Sequence, residues 1–343
     1  MQQNRGKQSL CLDLKTDAAR AIIYELVPKV DIVIENFGPG VMEKRGLDYP
    51  SLKALNPRLI MASVSAFGRK STLSHKTGYD WIAQAFTGLM HMTGPRDGSP
   101  HPVGIGVCDS NAGVHGFAAL GYALFHRAQT GAGQYIDLSM VDAMYHMHEY
   151  NVHGRSVAGA SFDPQRMGAH HEMIAPFGVF KGPSGYFVIA VLQLQWAGMC
   201  AALGRPELEK DPRFIDGTSR AKHQDLVIDM IETWAAGFPS NDEVLAVLEA
   251  NRVPAAPVLT PLETLDHEYY LDRGMVRTVS DPILGEIQIP GFPFKFSAQP
   301  ELPEFEAPLL GEHNAAVLHR VLGYDAERIA ALEHENIIVS ARR

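Results

Sequence analysis

Within the first 65 residues a helical pattern is twice followed by a short apolar strand, and this repeat constrains the fold more than any other feature of the chain. From Asp17 to Val30 the apolar residues Ala18, Ala19, Ile22, Ile23, Leu26, Val27 and Val30 recur at three- and four-residue spacing. That spacing predicts an amphipathic helix, capped by Thr16 or Asp17. The β-branched run Asp31–Glu35 follows as a buried strand and ends at Asn36-Phe-Gly-Pro-Gly40, where Gly and Pro break regular structure. A short helix at Ser51–Leu55, broken by Asn56-Pro57, then leads into a strand at Leu59–Ser65. Helix then strand, twice, predicts an α/β fold: a Rossmann-like parallel sheet whose ligand loops lie at the C-terminal ends of the strands.

Further along, the pattern predicts a helix from about Asp80 to His91, a Gly/Pro-rich stretch from Thr93 to Gly106, and a long apolar helix from Asp109 to Ala128 closed by Thr130-Gly131. Gln134–Met140 reads as a strand and Val141–Tyr150 as a helix. Between Gly154 and Gly185 the periodicity fades. A strand at Tyr186–Val191 and helices near Gln195–Leu203, Ser219–Ala236 and Asn241–Asn251 then suggest a second, smaller α+β domain. From about Met275 come short strands at Arg277–Ser280 and Glu286–Ile289, Pro-rich chain, and helices at Glu312–Leu322 and Ala326–His334. No run approaches the ~18 apolar residues of a membrane span, and the first ten residues hold no apolar signal block, so a cytoplasmic protein is expected.

Charge and residue usage exclude several classes of function. A net charge of −9 argues against the broad basic surface that nucleic acid requires. Arg5, Lys7 and Lys15 form either a local basic patch or a solvated terminus. Cys11, Cys108 and Cys200 are widely separated, as buried small residues are, and show neither disulfide nor thiolate-metal spacing. Fifteen histidines invite a metal hypothesis. His146 and His148, however, lie two apart on a predicted helix and point to different faces, His153 and the pair His170/His171 add no i, i+4 partner, and so no metal is expected. Gly104-x-Gly106 lacks the third glycine of a dinucleotide fingerprint.

Two carboxylates stand out. Asp109 follows a glycine-rich segment and opens the long apolar helix, so it is either an N-cap or, kept ionised by the helix N-terminus and reachable past small residues, a nucleophile. Asp80, in Gly78-Tyr79-Asp80, has the same two readings at the start of another helix.

The run Asn4-Arg-Gly-Lys-Gln-Ser-Leu-Cys-Leu-Asp-Leu-Lys15 resembles a signature of the class III coenzyme A transferases of CaiB/BaiF type, which include formyl-CoA transferases. So do Glu35-Asn-Phe-Gly-Pro-Gly40, Leu55-Asn-Pro-Arg-Leu-Ile60, Asp109-Ser-Asn, His126-Arg-Ala-Gln-Thr-Gly-Ala-Gly-Gln134 and Ala307-Pro-Leu-Leu-Gly-Glu-His313, in order along essentially the whole chain. The resemblance implies that Asp109 is the catalytic nucleophile of a ping-pong transfer of CoA from an acyl-CoA to a carboxylic acid, through an aspartyl anhydride and an aspartyl-CoA thioester. It implies that Asn36 and Phe37 line the pantetheine and adenine path, that Lys44 lies near the CoA phosphates, and that Tyr79 and Asp80 form the turn beside the nucleophile. CoA would be a substrate, with no permanently bound cofactor.

The resemblance also implies a homodimer of interlocked open rings. In each chain residues 1–165 would form the large CoA-binding domain, 173–265 the small domain, and 275–343 a return to the large one. Family members carry a strand–helix–strand segment ahead of the first motif; this chain begins at the motif, so the expectation is of a short N-terminus that folds poorly or binds CoA weakly. No run of consecutive glycines like that of the oxalate-type transferases lies between His153 and Gly185, where Gly168-Ala-His-His171 stands instead, so the acceptor acid stays open. Two alternatives remain. The related α-methylacyl-CoA racemases use a histidine in a Gly-His-Asp turn as the second base, and the phenol of Tyr79 in this turn is a poor substitute at neutral pH. An inactive CoA-binding protein is the other.

Overall fold

A computed structural model describes residues 2–281, 283–299 and 306–341. Residues 1, 282, 300–305 and 342–343, which belong to the expected N-terminal and C-terminal spans, lie outside the described residues. The chain divides into two compact units, one built from residues 1–87, 105–149 and 265–343, the other from Gly88–Gly104 and Tyr150–Thr264.

The first unit contains a three-stranded parallel sheet in the order β1 (Ile32–Glu35), β2 (Ile60–Ser65), β3 (Tyr135–Ser139). Ile32 pairs with Ile60 and Met61 with Tyr135, so all three strands point the same way. The helix before β1, Asp17–Leu26, is capped by Thr16, whose hydroxyl accepts from the Ala19 N–H. It ends short of Val30 because Pro28 has no N–H to continue the ladder, and Val27–Lys29 tightens into a 3₁₀ turn. The Asn56 amide donates to the Val27 and Val30 carbonyls at 3.0 and 3.1 Å, which satisfies that turn and fixes the break before β2. Val27, Leu52, Leu59 and Met61 close the core beneath the sheet. Ala19 and Ile22 pack instead against Leu318, Tyr324, Ile337 and Ile338.

The helix expected over 80–91 is broken into Asp80–Phe86 and Leu89–Met92, because Gly88 between them takes a left-handed φ of 87°. The long helix runs Val107–Thr130, two residues earlier at its start than expected, and stops at Gly131 with φ 77°. Helix Met140–His146 begins directly at the end of β3. The C-terminal part adds the hairpin β7 (Val276–Asp281) and β8 (Gly285–Pro290) and two helices, Asn314–Leu322 and Ala326–His334.

The second unit is built on an antiparallel sheet, β4 (Phe177–Gly182), β5 (Gly185–Ala190) and β6 (Ala255–Pro257). β4 falls where the sequence pattern fades, since the glycines in Phe177-Gly-Val-Phe-Lys-Gly182 hide its alternation. Its partner rescues it: Phe180 pairs with Phe187, and both rings are buried with Ile189, Trp196, Met199, Val227, Ile231 and Leu248.

Arg220 is fully buried in this core. Its guanidinium donates to the Ala175 carbonyl at 2.6 Å, the Phe214 carbonyl at 2.9 Å and Gln193 Oε1 at 3.1 Å, and lies 4.5 Å from the Trp196 ring centroid. Burial holds its pKa below the usual arginine value. Arg220→Met should cost about 3–5 kcal/mol, from ~1–3 kcal/mol for each buried carbonyl stripped of its donor. Chemical denaturation measures this, and a loss under about 1 kcal/mol would show that the carbonyls find other donors.

Candidate active site

Because the three strands are parallel, Glu35, Ser65 and Ser139 end at one edge of the sheet, where ligands of such folds bind. The Ser139 hydroxyl donates to the Ala66 carbonyl at 3.0 Å, and the Val141 N–H donates to the same oxygen at 3.1 Å. Glu35 is buried and receives the Arg69 guanidinium at 2.9 and 3.0 Å and the Phe37 N–H at 2.8 Å. Arg69 also donates to the Phe37 carbonyl at 2.7 Å, and its own N–H reaches Asp137 at 2.8 Å. Loops after β1 and β2 are thereby tied to β3.

The long helix that leads into β3 runs back along the sheet, so its N-terminus lies at this same edge. The Asn111 amide fixes that placement by donating to the Ala143 carbonyl at 2.9 Å. Gly106, the N-cap, has no side chain to offer. Asp80 supplies the cap from another element: its Oδ1 accepts the Cys108 N–H at 2.7 Å and the Asp109 N–H at 3.1 Å, while Oδ2 accepts the Gln84 amide at 2.5 Å. Gly78 allows the Tyr79–Asp80 turn to approach β2, since a Cβ there would stand 2.7 Å from the Ala66 methyl. Asp109 occupies the first helical turn, its side chain exposed, and among the described residues none donates to its carboxylate.

Partial burial and the neighbouring Asp80 charge raise the Asp109 pKa above the usual aspartate value. A raised pKa makes the ionised carboxylate a stronger base and nucleophile. Burial, then Asp80 and Asp109, push the Cys108 thiol up to about 11. Among the described residues no group of three or more His, Cys, Asp or Glu side chains is placed to hold a metal ion.

The structure therefore brings Asp80 against the backbone of Asp109, while the side chain of Tyr79, its chain neighbour, is exposed. Asn36 and Phe37 sit on the loop after β1, both exposed, and Lys44 is exposed on the short helix Val41–Arg45 that follows it. Neither aspartate caps its own helix: Asp109 lies inside the first turn, and Asp80 caps its neighbour's. The sequence reading passed over Gln84, whose signal is the i, i+4 spacing from Asp80, and Asn111. Glu35 stands in the sequence only as a strand end and the start of a motif, Arg69 and Asp137 carry no signal, and the parallel strands with the loop after β2 bring those three together.

The model of CoA-transferase family III matches residues 1–314. This chain belongs to CoA-transferase family III. It is 39% identical over 321 residues to a succinyl-CoA:mesaconate CoA-transferase of Haloarcula hispanica, covering 92% of this chain and 80% of that one. A formyl-CoA:oxalate CoA-transferase of Streptomyces avermitilis is 32% identical over 350 residues, with coverage of 98% and 85%. The crystal structure of a CaiB/BaiF family protein from Brucella suis superposes with a TM-score of 0.80 at 33% identity, covering 93% of this chain and 82% of that one. This likeness extends to the α/β architecture with its parallel sheet.

For this family III chain the raised Asp109 pKa carries a sign. A carboxylate whose folded pKa exceeds its unfolded value binds more protons when folded, so its ionisation subtracts stability as pH rises through the two values. Asp109→Asn should therefore raise the thermal midpoint at pH 7, with the gain vanishing below the ordinary aspartate range. Equal gains at pH 7 and pH 3 would contradict the argument.

Proposed function

We propose that the chain is an acyl-CoA:carboxylate CoA-transferase whose nucleophile is Asp109. The observation that carries this reading is the exposed, elevated-pKa carboxylate in the first turn of the long helix, held there by Asp80 through two backbone N–H groups. The names of the family III relatives support the reaction class.

An Asp109 oxygen attacks the thioester carbonyl, the C–S bond breaks, and CoA leaves as thiolate from a mixed anhydride. The thiolate then attacks the Asp109 carbonyl carbon, expelling the donor acid and leaving an aspartyl-CoA thioester. An acceptor carboxylate attacks that thioester and expels the thiolate again. Attack of the thiolate on the acceptor's acyl carbon forms the new acyl-CoA and frees Asp109. An anhydride preserves the activation of the acyl group, which a serine ester would dissipate. In this reading Asn36, Phe37 and Lys44 hold the CoA, and Tyr79 and Asp80 shape the pocket beside the nucleophile. CoA enters and leaves as substrate, and the protein works in the cytoplasm where acyl-CoA is made and used.

Incubation with succinyl-CoA followed by hydroxylamine should convert Asp109 to its hydroxamate, detectable by peptide mass spectrometry. Asp109→Ala should lose the modification and lower turnover with mesaconate or oxalate as acceptor by about a thousandfold or more. An unmodified Asp109 during turnover would sink the mechanism, and solvent deuterium at the α-carbon of a branched acyl-CoA would point to the racemase instead.

The same reading includes a homodimer. Of the long helix only Cys108, Ala112 and Ala123 are buried within one chain, while Val114, Phe117, Tyr122 and Phe125 each expose more than 60% of their surface. Phe292, Phe294 and Phe296 extend this apolar face, with Phe294 stacked on Phe117. Apolar area on this scale marks a protein interface. Sedimentation should give a dimer for the native chain and a monomer for Phe125→Glu; a native monomer at micromolar concentration would remove the dimer from the reading.

A further inference from the structure

The loop Asn36-Phe-Gly-Pro-Gly40 has the composition of a flexible segment, yet its first turn is immobilised on both sides of the chain. Glu35 accepts the Phe37 N–H and Arg69 donates to the Phe37 carbonyl, so both backbone polar groups of Phe37 are taken up. The same Arg69 nitrogen bridges to both Glu35 oxygens, and the backbone N–H groups of Arg69 and Lys70 bind Asp137 at 2.8–3.2 Å. The end of β1, the loop after β2 and the middle of β3 are thus fastened together at Arg69, with Lys70 adding a second backbone N–H.

What this clamp holds out is an aromatic ring in water. Phe37 remains 43% exposed although an unconstrained loop could fold it inward. Beyond it the space is open, since a Cβ added at Gly38 or Gly40 would meet no heavy atom within 4 Å. A fixed backbone, an exposed ring and a clear approach at the C-terminal edge of a parallel sheet describe a binding platform rather than a packing solution.

We propose that Arg69 is a positioning residue for the CoA thioester, fixing the Phe37 platform that receives the nucleotide end of the ligand. The inference rests on the CoA-transferase reading above and deepens it. All three contacts come from one terminal nitrogen, Nη2, whose N–H bonds are held in the guanidinium plane, whereas the ammonium of lysine sits on a different stem and rotates freely, keeping the charge without the fixed direction.

The contrast with simple neutralisation of Glu35 sets the test. Calorimetric titration with coenzyme A measures affinity directly, and hydroxylamine trapping at graded succinyl-CoA separates half-saturation from the plateau rate. Arg69→Lys keeps the charge beside Glu35, so a neutralising role predicts native affinity. Positioning predicts about tenfold weaker CoA binding and a matching rise in half-saturating succinyl-CoA, with the rate of Asp109 modification at saturation within about twofold of native. Should Arg69→Lys fail to fold, Glu35→Gln/Arg69→Met removes both charges, and the same tenfold shift is expected. Native CoA affinity in a folded variant, or a plateau rate that falls with the affinity, overturns the role assigned to Arg69. Absence of CoA binding by the native chain overturns the CoA-transferase reading itself.

Discussion

The candidate site depends on one carboxylate capping a helix to which it does not belong. Gly106 leaves the first N–H groups of the long helix without a local acceptor, and Asp80 fills that need from the turn after β2. The arrangement does two things at once. It satisfies buried donors that would otherwise cost about 1–3 kcal/mol each, and it fixes a negative charge beside the residue that the helix presents to solvent. A side chain on the helix itself could have capped it equally well, but would not have tied the Gly78–Asp80 turn to Asp109.

The same economy appears at the other strand ends. A parallel sheet places the ends of β1, β2 and β3 side by side, and the short polar contacts among Glu35, Arg69, Asp137, Ser139 and Ala66 convert that adjacency into a rigid rim. The glycine-bearing loops then begin from fixed points. The chain's net charge of −9 opposes a polyanionic ligand such as CoA. In the proposed reading, attraction therefore has to come from a few local cations such as Lys44 and from geometry, which gives a clamped platform more to do than it would have on a basic surface.

The sheet of the first unit was legible because its information is local. The 3.6-residue spacing from Asp17, the Asn56-Pro57 break and the β-branched runs each specify an element without reference to the rest of the chain. The second unit was less so. Phe177–Gly182 becomes a strand only because Phe180 finds Phe187 across the hairpin, and no window of the sequence contains that pairing. The short helix Val41–Arg45, bracketed by left-handed Gly40 and Gly46, carries too little periodicity to register. The sequence also showed that Asp80 and Asp109 are chemically interesting, through their position beside glycines at helix starts. It could not show that one caps the other's helix, since their link spans 29 residues. Arg69 gave no signal at all: its partners lie 34 and 68 residues away, and an arginine in a polar loop reads as a solvated side chain.

One consequence concerns the residue beside the proposed nucleophile. Cys108 precedes Asp109 in the same first turn, and a helix N-terminus ordinarily lowers a thiol's pKa and makes it reactive. Here burial and the flanking carboxylates outweigh the helix, holding the thiol at about 11, so almost none is thiolate at neutral pH. That matters in the proposed reading, where the site passes acyl groups and CoA thiolate between carboxylates. Acyl capture by a cysteine would give a stable thioester competing with the anhydride, and oxidation would join the protein to CoA through a disulfide. Burial first, and the Asp80 charge second, thus act on both neighbours: they raise the carboxylate above the usual aspartate value and raise the thiol out of use. In the proposed reading oxygen rather than sulfur takes the acyl group, because the thiol is both buried and held protonated.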